Sequence, residues 1–310
     1  MPGHEQQIER FDRLRGEFTA RLAAVRALDE HRFVRQDWAE RNEALGEDLS
    51  PRPASDFLRH PAILYQMFVA DKYVEHEAPY VLRRLREPAL AIEDPVGDPP
   101  VTLMPGTDIT TSANTVHHLH HLLRFEDATG QRLSDFDTVV EWGGGYGNLA
   151  KLLLRLHGGS PTYLLIDTPV FAAIQWLYLA SVMGPGLVVL RTEDDFSVTP
   201  GVVNVVPIGL ARHLSVGADL FISTWALNES TAAAQDFVVD RLWFGADALL
   251  MAMHQGDPFE QVVVDAGAGA FPVGSFMPAQ RYLLRASAPR PPSRKEPSLS
   301  LHVPDGDACG

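Results

Sequence analysis

Apolar residues recur along the first part of the chain at three-to-four spacing, the period of a helix with one buried face. Phe11, Leu14, Phe18, Leu22, Val25 and Leu28 form such a stripe within residues 5–45. Ile63, Met67, Ala70 and Val74 form a second within 55–86, a block punctuated by Pro61 and Pro79. Residues 88–107 lose the period and are rich in Pro and Gly, which predicts a connecting loop region. Helical pattern returns from Thr115 to Ala128. At Thr138 the pattern changes. Apolar runs near 138–142, 162–166, 187–191, 203–207, 219–224, 247–253 and 280–285 read as strands. Segments near 148–157, 169–183 and 230–241 read as the helices between them. This alternation predicts an α/β protein, a Rossmann-like parallel sheet with helices on both faces. One strand is surplus between Asp167 and Asp219. We assign 203–207 as the regular third strand and 187–191 to an inserted hairpin. From Ala286 onward large apolar residues are few, so 286–310 is expected to be a disordered tail. The expected organisation is an N-terminal helical region at 1–87, a connecting segment at 88–114 and the sheet domain at 115–285. The N-terminal helices would act as a lid or as the surface of a homodimer.

The strand at 138–142 leads into the most informative stretch, Glu141-Trp-Gly-Gly-Gly-Tyr-Gly147, followed by a helical run from Leu149. A strand, a tight glycine loop and a helix let backbone N–H groups approach a ligand closely. The dinucleotide fingerprint Gly-x-Gly-x-x-Gly is imperfect here, because Asn148 or Ala150 falls where the last glycine should stand. The acid at the strand end suits a cation, such as the sulfonium or ammonium of S-adenosylmethionine; it would repel a pyrophosphate. A second strand, Tyr163 to Ile166, ends in Asp167, twenty positions after Gly147. An acid at that place in a doubly wound fold accepts hydrogen bonds from ribose hydroxyls. Its plain structural role would be to cap the helix that starts at Pro169.

Composition excludes some partners. The chain has 310 residues and a net charge of −14, which disfavours nucleic acid and acidic membrane surfaces alike. The only cysteine is Cys309, so no intrachain disulfide or cysteine zinc cluster is possible. Met1 to Arg10 is polar, and the apolar stretch Val170–Leu190 is interrupted by Gln175, Ser181 and Gly184-Pro185-Gly186. We therefore expect a cytoplasmic protein without a membrane span. Lysine occurs only at 72, 151 and 295 while arginine is common, a bias of GC-rich bacterial genomes.

Several stretches resemble the bacterial sugar O-methyltransferases, a branch of the class I S-adenosylmethionine-dependent methyltransferases. They are Ser112–Thr115 with His117–Gly130, Val140–Gly147, Tyr163–Pro169 and Asp219–Glu229, and the resemblance spans roughly residues 110–285. It implies an O-methyltransferase acting on a hydroxyl of a sugar or glycosylated small molecule, with S-adenosylmethionine as cofactor. It implies that Glu141, Gly143, Gly144, Gly145, Gly147, Asp167, Thr168 and Trp225 bind that cofactor. Two other readings stay open: a cofactor-binding protein without catalysis, and an N- or C-methyltransferase.

O-methylation needs a positioned acceptor oxygen and removal of its proton. His254 ends the strand that runs to Met253, and Glu229 follows the strand that ends at Thr224; both fall where open α/β sheets bind ligands. Glu229 would otherwise simply favour the start of the next helix. His117-His118-Leu119-His120-His121 is conspicuous, since 117 and 121 share a helix face. No third ligand is identifiable, so no metal is assigned. We expect His121 to face the pocket with His117 behind it. Trp225 would stack on adenine or line the acceptor site; Trp142 would pack under a helix.

Overall fold

The computed structural model describes residues 3–194 and 197–288; the tail expected beyond them, with Cys309, lies outside the described residues. The chain opens with helices α1 (His4–Leu14), α2 (Phe18–Arg26), α3 (Gln36–Asp48), α4 (Pro61–Met67) and α5 (Lys72–Arg84). A small ribbon of β1 (Thr102–Leu103) and β2 (Thr110–Thr111) leads to α6 (Ala113–Thr129). Then come β3 (Thr138–Trp142), α7 (Asn148–His157), β4 (Thr162–Asp167) and α8 (Pro169–Met183). Next are β5 (Val188–Leu190), β6 (Val203–Pro207), β7 (Leu220–Thr224), α9 (Ala226–Glu229) and α10 (Ala232–Asp240). The last described elements are β8 (Ala248–His254), α11 (Pro258–Asp265), β9 (Gly269–Gly274) and β10 (Met277–Arg285).

Among the described residues eight strands form one sheet in the order β5-β6-β4-β3-β7-β8-β10-β9. The first six are parallel, and β10 runs antiparallel between β8 and β9. This is a Rossmann-like, mostly parallel sheet with helices packed against it. After β3 the chain builds outward to β4 and the edge strand β5, inserts β6 between those two, then crosses back to β7 and β8. The order therefore reverses at β3, and a crevice opens there beyond the carboxyl ends of the strands. Both faces of β3 are buried, as parallel strands require.

Two expectations are corrected. Residues 188–190 do not form an inserted hairpin: β5 pairs in parallel with β6, because the loop from 191 to 202 is long enough to return the chain to the same end of the sheet. Pro79 does not punctuate its block but lies inside α5. A proline there costs a backbone hydrogen bond; burial of Val74, Ala78 and Val81 offsets it. The sequence reading also missed α11 and β9. The β9 run, Gly-Ala-Phe-Pro-Val-Gly, carries residues that strands tolerate only at edges, and β9 is an edge.

One apolar core on one side of the sheet joins Phe11, Phe18, Leu22 and Val25 to Ile174, Leu177, Leu165 and Tyr282. Helices α1 and α2 pack directly on α8, which is therefore apolar all round. Helix α6 lies between α5 and α7. Ser112 caps its first turn by accepting from the Thr115 N–H at 3.1 Å. Among the described residues no helix is long and apolar enough to cross a membrane.

Candidate active site

The loop after β3 is pressed between two neighbours. Gly143 and Gly145 both adopt left-handed backbone, with φ of 75° and 58°. A Cβ on Gly143 would lie 2.1 Å from the Ala226 Cβ, and one on Gly145 would lie 2.6 Å from the Met67 Sδ. Gly144 rests against Leu165 and the Glu141 carboxyl.

Two cavities meet over this loop. The first, of about 800 Å³, is lined by Gly143, Gly145, Asp167 and Thr168, and is walled by Phe33, Trp38 and Trp142. The second, of about 890 Å³, is lined by Glu141, Gly144, Tyr146, His117 and His118, with Phe68 and Tyr73 opposite. Gln66, Met67, Trp225 and Glu229 border both, so the two are lobes of one cleft. Gly147 was expected among the ligand contacts, but it caps α7 beside Leu179 and lines neither lobe. Asn114 fixes the segment that roofs the cleft: its side chain donates to the Met67 carbonyl at 2.6 Å and accepts from the Val69 N–H at 2.9 Å. Gln175 fixes the floor, donating to the Gly145 carbonyl at 2.9 Å and to Asp167 at 2.7 Å.

The acids share an electrostatic problem. Burial pushes the Asp167 carboxyl up to about 7, although the Thr168 N–H, Gln175 and the glycine-loop N–H groups donate to it. Burial pushes Glu141 up to about 8, against a hydrogen bond from the Tyr163 hydroxyl at 2.7 Å. Burial also raises Glu229, while His254 opposes the rise. Carboxyls in this state favour a ligand that brings positive charge and hydroxyl donors.

The histidine cluster is arranged the other way round from expectation. His117 and His118 line the second lobe, whereas His121 is fully buried behind them and lines neither lobe. The N-terminal turns of α6 lie at the cleft, and one further turn carries His121 away from it. The His121 Nδ1 meets the Tyr282 hydroxyl at 2.6 Å, and its ring stands 4.0 Å from that of His117. His117 has two features no sequence signal announced. Its Nδ1 lies 2.9 Å from both carboxylate oxygens of buried Glu77, and its Nε2 is buried with no hydrogen-bond partner among the described residues. Burial lowers His117 and His118 to about 3, so both rings are neutral near pH 7. Among the described residues no three His, Cys, Asp or Glu side chains converge as metal ligands.

His254 is exposed at the end of β8 and lines neither lobe. The Gln280 amide donates to its Nδ1 at 2.9 Å, while the Gln280 oxygen accepts from the Trp225 indole at 2.7 Å. His254 thus reaches the cleft through Gln280 and through its charge interaction with Glu229. Trp225 adopts left-handed backbone (φ 61°), held by its N–H to the Ala252 carbonyl at 2.7 Å, and its ring stacks 5.4 Å from His117. Strain of this kind gathers at functional sites. Trp142 packs against Phe33 and Phe237, as expected of a residue under a helix, and also walls the first lobe.

No protein-family model and no curated protein matches the chain. Among solved structures it is similar to mitomycin 7-O-methyltransferase, with 16% identity over 56% of this chain and 55% of that one, at a TM-score of 0.39. It is similar to an O-methyltransferase from neocarzinostatin biosynthesis, solved with S-adenosylmethionine and 2-hydroxy-5-methyl naphthoic acid: 14% identity, 56% and 57% coverage, TM-score 0.36. A SAM-dependent methyltransferase from Aquifex aeolicus gives 15% identity, 53% and 90% coverage, and a TM-score of 0.36. The match spans little more than half the length of the first two. The strand order and the cleft, not these likenesses, carry the functional reading.

Proposed function

We propose that this chain is an S-adenosylmethionine-dependent methyltransferase that methylates a hydroxyl of a small molecule. One observation carries the reading: two acids, buried Glu141 and half-buried Asp167, stand on adjacent strand ends around a glycine loop that has no room for a Cβ, at the mouth of a two-lobed cleft. Asp167 would accept from ribose hydroxyls, with Thr168 beside it. Phe33, Trp38 and Trp142 would hold the adenine in the first lobe. Glu141 would face the amino-acid end of the cofactor, where an ammonium relieves its desolvation. When bound, the cofactor supplies an electrophilic methyl group; the protein supplies position and a proton acceptor.

The acceptor would lie in the second lobe. Gln66, Gln280 and Glu229 offer the amides and carboxylate that hold a sugar or a glycosylated molecule. Phe68, Tyr73, Tyr146 and Trp225 favour a second reading, a planar hydroxylated acceptor. Calorimetry with S-adenosylhomocysteine and NAD tests the cofactor: tighter NAD binding would overturn the reading. Gly145→Val should lose S-adenosylhomocysteine affinity while keeping helical content, because it strains a positive φ and displaces Met67. Methyl transfer from labelled S-adenosylmethionine to methyl glucoside and to 2-naphthol separates the two acceptor classes.

A further inference from the structure

Which group removes the acceptor's proton? We propose that His117 is the general base and Glu77 its positioning residue, and that protonation of Glu77 decides which imidazole nitrogen is free. The proposal rests on the methyl-transfer reading above. Of the three sequence candidates, His254 stands outside the cleft and His121 behind it. Glu229 borders both lobes, but among the described residues no acid or base hydrogen-bonds to it, and the imidazole that acts on it, His254, is exposed outside the cleft. His118 lines the second lobe, and its Nδ1 meets a neutral partner, the Asn148 amide, at 3.0 Å. Among the described residues only His117 combines a place in that lobe, a carboxylate on one nitrogen and a buried, unpartnered second nitrogen, which an acceptor hydroxyl reaches once the Trp225 ring stacked on it shifts aside.

The pair works as a tautomer lock. Ionised Glu77 can only accept, so it holds the ring proton on Nδ1 and leaves the Nε2 lone pair free. The acceptor's hydroxyl then gives its proton to Nε2 as its oxygen bonds to the methyl carbon. The carbon–sulfur bond breaks, and its electron pair stays on sulfur. The imidazolium so formed is held by the Glu77 carboxylate, which is how an acid–histidine pair stabilises such a charge. Protonated Glu77 instead donates to Nδ1. The ring proton must then sit on Nε2, and the base is switched off.

The surroundings set where the switch falls. From α5, Tyr73 and His76 face Glu77. From α6, His120 stands 3.6 Å away and His121 adjoins His117, with Arg124 further along. From β10, the Tyr282 hydroxyl closes the cluster, bonding both His120 and His121. Burial dominates over these neighbours and raises Glu77 to about 7, so the lock engages as pH rises through neutrality.

Nitrogen-15 NMR of histidine-labelled protein with S-adenosylhomocysteine tests the lock directly, using His117→Gln to assign the ring. In the wild type the proton should sit on Nδ1 above about pH 8 and on Nε2 below about pH 6, around the Glu77 transition. In Glu77→Gln this pH-dependent exchange should vanish, with S-adenosylhomocysteine affinity kept within about tenfold as the control for folding. With 2-naphthol or methyl glucoside as acceptor, whichever is methylated, His117→Gln should lose on the order of 10²-fold in turnover. Glu77→Gln should flatten the rise of activity with pH. A ring proton fixed on Nε2 throughout, or normal turnover in His117→Gln, overturns the dyad alone. Failure of the wild type to bind S-adenosylhomocysteine overturns the methyl-transfer reading and the dyad with it.

Discussion

Asp167 ends β4 with its carboxyl already engaged by the Thr168 N–H and by Gln175. Those bonds suit either a helix cap or a ribose site, and a single substitution separates them. Asp167→Ala should weaken S-adenosylhomocysteine binding by about 1–3 kcal/mol, roughly 5- to 150-fold, the range for losing hydrogen bonds to a charged group. Titration calorimetry measures it; affinity within about twofold of wild type would leave Asp167 a cap. Residues such as Glu141, Gly143 and Asp167 are legible in the sequence because strand, loop and helix are consecutive there. Glu77 and Asn114 are not, since 40 residues separate Glu77 from His117 and 45 separate Asn114 from Val69. Gln175 lies between these cases. It stands out as a lone amide in an apolar helix, but its partners on the glycine loop and β4 are set only by the packing of α8.

Helices α1 and α2 were expected as a lid or a dimer surface, and their apolar stripe does not reveal which face receives it. In the structure that stripe covers α8. Phe18 is fully buried in the core that also contains Ile174 and Leu177, and the Arg21 guanidinium sits 4.6 Å over the Trp176 ring. Helix α3 is tied to the β4–α8 junction by the Asn42 amide donating to the Thr168 hydroxyl at 3.0 Å. A helix that shares the main core unfolds with it. Phe18→Ala should therefore cost about 3–5 kcal/mol, and denaturant unfolding should keep a single transition at a lower midpoint. A separate early transition, with the main one unmoved, would mark α1–α2 as an independent lid. The hairpin expected at 187–191 failed for a related reason. Pattern locates a strand, but only the length and path of the connection after Leu190 decide whether it returns parallel or antiparallel.

Across the whole molecule, two buried sets of titrating groups pull stability in opposite directions. Glu77, Glu141 and Asp167 have folded values raised to about 7, 8 and 7 by burial. A raised acid contributes stability that is fully present below its unfolded value, near 4, and is lost as pH climbs through the folded value. His117, His118 and His120 are lowered by burial to about 3, 3 and 4. Their unfolded forms take up protons below about 6.5, so they destabilise the fold as pH falls through that range. Between about pH 4.5 and 6.5 the two sets oppose each other. Between 6.5 and 8 the carboxyls act alone, so the melting temperature of the ligand-free protein should fall across that window. Glu141 sits 1% exposed and has the highest folded value of the three, so its share is lost last. In Glu141→Gln the amide oxygen still accepts from the Tyr163 hydroxyl, but no carboxyl remains to ionise. The variant should lose less melting temperature between pH 6.5 and 8 than the wild type does, whatever its absolute stability. Thermal melts at four pH values across the window decide it. Parallel curves for the two proteins would mean that Glu141 ionises with an ordinary carboxyl, and the case for a desolvated acid awaiting a cation would fall with it.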